Sequence, residues 1–564
     1  MTESATRLRA IETELVSCYL AARPLTAALL GEPGWRDQLL PLVAADARQD
    51  LGGRISRARA QLAEIAPAEL DEEQHLTREM LSELSGYDAD DLAACSPRYT
   101  VSPLPEAGLT GALLLFLPQA SISSVADLES FASACAAIPG ALRDSQAELA
   151  AGRAAGQRPV GHLTQRAADQ IEQYLATPVD HDTYVLAACS ARIPEAGSLA
   201  GDIRRIIASE VRPAFRQYRD SLYADVVPDA RDADHPGLVW LPGGEATYRA
   251  AVRAHTTLDV TPEAVHQSGQ DLVAAIRTRA EATGRSLGWD LGFAAIRDRL
   301  REDRSLYFGS AAQMIAAASA ALQRAEEVVP QWICEPPAAS CAVREMDALE
   351  TRNGVLGHYQ SAPLDRHRPG WYWLNTGEPA SHPVYEVEAL AHHESVPGHH
   401  IEISKSQEAP IDSPFRRLAE VTPYREGWAL YMEHLADDIG LYSGPLDRLG
   451  MLSFQLWRAG RLVVDTGMHL HGWSRRRAVT YLWENTILSR GNVENEIDRY
   501  IACPGQALGY MTGQLAFEQL RARLINDSSS PAQNRAFHSR LLEHGPLTLG
   551  CLSRSLGIDL AVLT

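Results

Sequence analysis

Apolar residues recur at intervals of three and four along most of this chain, as at Leu8, Ile11 and Leu15, and again at Ile203, Ile206, Ile207 and Val211. That is the period of a helix burying one stripe of its surface, and no strand shows it. Ala, Leu, Arg and Glu dominate the same segments and favour helix in their own right. One stretch breaks the pattern. "GWYWLN" (370–375) is aromatic-rich and bounded by turn residues, which predicts a strand. The expected fold is mainly α: a large helical body with a small β-sheet near its centre.

Proline and glycine punctuate the helices at 138–142, 232–248, 334–341 and 366–383. The second of these marks the expected boundary, giving an N-terminal helical region (1–235) and a C-terminal one (236–564). Internal repeats and low-complexity segments are absent. The chain has 564 residues, with 52 Lys and Arg against 72 Asp and Glu, a formal net charge of −20. Nucleic acid and anionic membranes both demand concentrated basic residues, so neither is an expected partner. Eight scattered cysteines with no C-x-x-C pair read as reduced thiols of a cytoplasmic protein. The first residues, "MTESATRLRAIETELVSCYLAARP", lack the long apolar run of a signal peptide. "TGALLLFLPQ" near 110 is apolar but too short to cross a bilayer.

Chemistry concentrates in "EALAHHESVPGHHIEIS" (388–404). Its helical start places His393 beside Glu394, as in an H-E-x-x-H zinc motif. The second ligand of that motif would fall at Pro397. His393 and His399 are six residues apart, about 120° off a common face in a straight helix. Pro397 and Gly398 are the residues able to break such a helix and bring His399 back. His400 shares a face with His393 but lies about 10.5 Å along an unbent helix, so it ranks second. The plainer reading is an Ala-rich helix ending at a Pro-Gly turn, followed by surface histidines. Downstream, "VTPYREGWALYMEHLADDIGLY" (421–442) reads as an amphipathic helix beginning after Pro423, with Glu426 in its first turn. A carboxylate there also suits the helix dipole alone.

Taken together, "HESVPGHH", "YREGWALYMEHL", "RAGRLVVDTGMHLHGWS" (458–474) and "YIACPGQALGYMTGQ" (500–514) resemble the bacterial family called domain of unknown function 885. "LPGGEATY" (241–248) and "RPGWYWLNT" (368–376) fit the same pattern. The family looks like a branch of the helical zinc metallopeptidases that take a glutamate as third ligand. The resemblance implies a two-lobed helical body with a deep central cleft and the sheet beside the zinc helix. It implies Zn²⁺ held by His393, His399 and Glu426, with Glu394 as general base and His400 and Glu433 standing around the ligands. Glu402 occupies a position where family members commonly carry Gln, which implies more acidic surroundings here.

Further candidates follow from position. Arg461, Asp465, His469 and Trp473 are spaced by four, a stripe that is either a solvated face or a binding surface for a substrate carboxylate. Tyr510 follows the Pro504-Gly505 turn, on backbone expected to be mobile enough to swing its phenol onto a developing oxyanion; His469 is the next candidate for that role. Tyr359, Arg368 and Trp373 flank or lie on the expected strand and could contact substrate. That strand, taken as an edge, could align an extended peptide. The expected activity is zinc-dependent hydrolysis of a peptide or small amide by activated water. Two alternatives stand beside it: a zinc enzyme acting on a small amide, thioether or amino-acid conjugate, and a catalytically decayed binding protein. Two imidazoles and a carboxylate suit zinc, and also accept cobalt, manganese or iron.

Overall fold

The computed structural model describes residues 2–24, 40–191, 193, 197–347, 351, 355–364, 366–525 and 530–560. Helices make up most of it, with one three-stranded sheet among the described residues. The chain divides into two compact units. The first comprises residues 1–251, 468–477 and 496–504; the second comprises 252–467, 478–495 and 505–564. The division falls later than the expected 235/236. The reason is local: Nη1 of Arg231 donates to the carbonyls of His235, Pro236 and Gly237 at 3.0, 2.8 and 2.7 Å, tying the Pro-Gly stretch to the first unit.

The core of the first unit forms around α1 (Val125–Ala154), α2 (Gly161–Ala176) and α3 (Arg212–Ser221). Leu128, Phe131, Ile138 and Leu142 of α1, Ile171 of α2 and Phe215 of α3 are fully or almost fully buried there. Each such side chain contributes roughly 1.5–3 kcal/mol by leaving water. By length and composition α1 could cross a membrane, and its apolar residues are spent on this core.

In the second unit, α4 (Ala311–Trp332) precedes the strands β1 (Cys341–Glu345), β2 (Gly357–Gln360) and β3 (Gly370–Leu374). The order is β1-β3-β2, with β1 parallel and β2 antiparallel to β3. The expected strand is therefore central, not an edge. Cys341–Glu345 pairs along one side and Gly357–Gln360 along the other, so β3 has no free side on which to receive a peptide. Side chains alternate along β3 as strand geometry requires. Tyr372 and Leu374 face the core with Met314, Ala318 and Ala321 of α4, while Trp371 and Trp373 share the half-exposed face.

The same core takes Val387 and Ala391 from α5 (Val387–Glu394), which seats this short helix against the sheet. Its first turn is anchored by Glu388, which accepts from Arg324 of α4 and from Ser443 N and Oγ at 2.9 and 2.6 Å. The chain then breaks and restarts as α6 (His399–Glu408). Two longer helices complete the surroundings: α7 (Thr422–Asp438) and α8 (Pro445–His469). α9 (Leu508–Leu524) packs against α7 at a close backbone approach, where a Cβ on Gly427 would lie 2.5 Å from Gly513 Cα. Only glycine fits there.

Candidate metal centre

The break after α5 does what the spacing of the histidines demands. Ser395 N still bonds to Ala391 O at 2.9 Å, and His400 N then bonds back to Ser395 O at 3.1 Å. A Cβ at Gly398 would overlap the carbonyls of His392 and His393, so the reversal needs glycine. Trp428 of α7 donates from Nε1 to Pro397 O at 3.1 Å and fastens the turn to the neighbouring helix. His399 is thereby returned to His393, with ring centroids 4.7 Å apart and planes at 85°.

The helix α7 begins at Thr422, ahead of Pro423, so Glu426 falls just past its first turn, where it meets both rings. One ligand atom from each of His393, His399 and Glu426 lies within 4.8 Å of the others. Glu426 Oε2 stands 3.5 Å from His393 Nε2 and 3.8 Å from His399 Nε2. Those separations are long for hydrogen bonds, which run from about 2.7 to 3.2 Å. They match a shared ion: tetrahedral zinc with bonds of about 2.0–2.1 Å separates its ligand atoms by about 3.4 Å. His393 Nδ1 lies 2.7 Å from Glu433 Oε1, which leaves its Nε2 directed at Glu426. His399 Nδ1 is buried without such a partner among the described residues. The residues present therefore fit a divalent metal, with one imidazole oriented more firmly than the other.

The electrostatics follow from burial and crowding. Burial opposes charge on His393, but Glu426 and Glu433 outweigh it and favour the imidazolium. Burial, reinforced by that neighbouring cation, keeps His399 neutral. Glu394 is 8% exposed and makes no hydrogen bond to a described residue. Burial pushes its carboxyl up to about 7, against the pull of His393. Burial likewise raises Glu402 to about 7, and neither of its carboxylate oxygens has a partner among the described residues.

His400 turns the other way. Its Nδ1 meets the hydroxyl of Tyr359 at 2.9 Å, with the rings edge to face at 5.5 Å. That engagement places Tyr359 beside α6 with its hydroxyl already used. Arg368 stacks over Trp371 at 4.5 Å and donates to Pro369 O. Trp373 donates to Gln360 and stacks near His358. His392 points away from the cluster, edge-on to Tyr442.

The stripe expected at 461, 465, 469 and 473 does not extend that far, because α8 ends at His469. All four residues are buried, which removes the solvated-face reading. Asp465 accepts from Gly505 N at 3.1 Å and holds the Pro504-Gly505 turn. His469 belongs to the first unit, where Leu238 N donates to its Nδ1 at 3.1 Å and its Nε2 meets Tyr500 O at 2.9 Å. Both nitrogens are thus committed to backbone. Trp473 lies under the guanidinium of Arg477 at 4.0 Å. Tyr510 sits in the first turn of α9, on helical backbone and not on a swinging loop, with Arg461 stacked on its ring at 4.4 Å.

One residue escaped the reading of the sequence. Arg458, one turn before Arg461, is 6% exposed and lies over Phe454 at 4.7 Å and Trp457 at 4.4 Å. The signal was present in "FQLWRAGRLVV", two arginines three apart in an otherwise apolar helix.

Residues 24–556 match the family described as "Bacterial protein of unknown function (DUF885)". Among curated proteins nothing matches. Two solved structures are similar in fold. One is described as "the putative lipoprotein from Colwellia psychrerythraea", with TM-score 0.85, 22% identity, and 99% of each chain covered. The other, "a putative lipoprotein of unknown function from Shewanella oneidensis", has TM-score 0.77, 16% identity, and 97% of this chain and 99% of that one covered.

Proposed function

The chain belongs to the bacterial DUF885 family, and from that premise we propose that it is a zinc-dependent hydrolase of peptide or small amide bonds. The observation that supports this reading best is the spacing around Glu426 Oε2: 3.5 and 3.8 Å to two imidazole nitrogens, too long for hydrogen bonds and suited to a common cation.

Zinc, when bound, would polarise a carbonyl and make water more acidic. His393, His399 and Glu426 would hold it, and Glu433 would fix the tautomer and orientation of His393. Glu394 has the chemistry of a general base. Its carboxyl is buried, makes no hydrogen bond to a described residue and is raised towards neutrality, so it can take a proton from the attacking water and pass it to the leaving nitrogen. Tyr510 remains the candidate hydroxyl donor to the carbonyl oxygen as negative charge builds on it.

The test is elemental analysis together with turnover. Purified protein should contain about one zinc per chain, and His393→Ala and Glu426→Ala should lose it. The zinc-loaded wild type should release amine from members of a peptide library or a set of small amides. Full zinc in both variants overturns the ligand set; no turnover on any substrate overturns the activity.

We also propose a cytoplasmic location, because all eight cysteines are free. Recovery of the native protein in a lipid-modified membrane fraction would overturn it.

A further inference from the structure

A guanidinium inside a protein ordinarily has an anion against it, because removing a charge from water costs several kcal/mol when nothing compensates. Arg458 departs from that rule. Its Nε and Nη1 are sealed from solvent, and no hydrogen bond or ion pair links its guanidinium to a described residue. The guanidinium lies over the rings of Phe454 and Trp457, which hold it in place while its Nε and Nη1 stay unused among the described residues. Arg461, on the same face of α8, stacks on Trp457 and on Tyr510, both at 4.4 Å, and adds a second buried cation.

Arg458 is also within electrostatic reach of the metal cluster. Its charge favours the ionised forms of Glu394 and Glu426, and Glu433 acts on it in return. Glu386 feels it as well, and accepts a hydrogen bond from Ser453 Oγ at 3.0 Å. Four carboxylates thus stand around the guanidinium, and none comes within 4.0 Å of it. Burial pulls the guanidinium below its ordinary value, a cost that those carboxylates only partly offset.

We propose that Arg458 is the anchor for a substrate carboxylate, so that the site takes amides of amino acids that keep a free carboxylate near the scissile bond. A planar guanidinium can hold both oxygens of a carboxylate at once, which an ammonium cannot. Arriving with the substrate, that carboxylate would complete a buried cation that the fold leaves without a partner among the described residues. The substrate class is then carboxy-terminal residues of peptides, or N-acyl amino acids. This rests on the hydrolase reading for its chemistry, but the anchor itself is a binding property that can be measured without turnover.

The experiment is calorimetric titration of the full chain, both zinc-loaded and metal-stripped. The probes are N-acetyl amino acids with apolar, acidic and basic side chains, the matching primary amides, and inorganic phosphate. In wild type the best acid should bind about tenfold or more tighter than its amide, the scale of a charge-assisted hydrogen bond. Arg458→Gln should abolish that preference while leaving zinc content unchanged. Should that variant not fold, Arg458→Lys takes its place, and its preference must fall. Equal binding of acids and amides, no acid binding at all, an unchanged preference in the variant that folds, or tighter Arg458-dependent binding of phosphate overturns the proposal. Acid preference without zinc or turnover leaves the anchor standing and removes the hydrolase. Turnover without acid preference does the reverse.

Discussion

His393 Nδ1 and Glu433 Oε1 lie 2.7 Å apart, with Glu433 1% exposed on α7, seven residues after Glu426. Two turns of one helix therefore present both a candidate ligand and the carboxylate that orients another ligand. This arrangement fixes which imidazole nitrogen faces the metal position. Glu433→Gln should retain the site but weaken zinc affinity by about 10- to 100-fold, the usual effect of losing an orienting carboxylate. Competition with a chelator measures it. Affinity equal to wild type would show that His393 is held by packing alone.

Glu394→Gln is expected to keep its zinc and lose activity by roughly 10²- to 10⁴-fold, the contribution of a general base. Glu394 is not among the three residues whose ligand atoms converge, and it makes no hydrogen bond to a described residue whose loss would disturb them. Metal content and kcat measured on the same preparation separate the two roles. Zinc lost along with activity would make Glu394 a ligand instead of a base.

How much of this was legible in the sequence depends on whether the cause was local. Helices were, because a three-four repeat of apolar residues has few other uses. The convergence of His393 and His399 was legible only in part. Pro397 and Gly398 are the residue types that relieve a helix of its regular path, but the same spacing also allowed a plain Pro-Gly turn followed by surface histidines. The central position of β3 was not, since "CAVRE" and "GHYQ" carry no alternation that distinguishes them from loop, and pairing partners are long-range facts. Trp473 was misplaced because its spacing from His469 continues a helix that in fact stops at His469. Arg458 was overlooked for a related reason. Its meaning comes from carboxylates on α5 and α7 that approach it without pairing, and no spacing along the chain records that.

Gly398→Ala tests the break itself. An added Cβ would overlap the carbonyls of His392 and His393, the backbone that the reversal must pass. Since backbone has to move to admit it, the cost should be at least the roughly 1–3 kcal/mol of overpacking. The displaced residue next in sequence is His399, so zinc content should fall along with the melting temperature. A stable variant that still binds one zinc would mean the turn tolerates the shift, and that His399 is positioned by something other than the Pro-Gly reversal.

The first unit offers a pH dependence free of the metal. Asp498, 4% exposed, meets His162 Nε2 at 2.8 Å, Arg475 Nε at 2.7 Å and Arg166 Nη1 at 2.5 Å. Burial alone would raise its carboxyl, but the hydrogen bonds from His162 and Arg475 outweigh it and bring it from the ordinary 3.8 down to about 2. A carboxyl depressed in the folded protein binds fewer protons there than in the unfolded chain. Its stabilising effect is therefore fully present above pH 3.8 and lost as pH falls from there towards 2. A shift of that size corresponds to about 2 kcal/mol. Asp498→Asn should accordingly lower the melting temperature by a few degrees at pH 7, and the gap to wild type should narrow as the pH is taken below 4. Calorimetry of the two proteins over that range decides it. A gap that stays constant down to the acid limit would mean that Asp498 acts through packing and neutral hydrogen bonds, and that its charge contributes nothing to holding residues 162, 166 and 475 together.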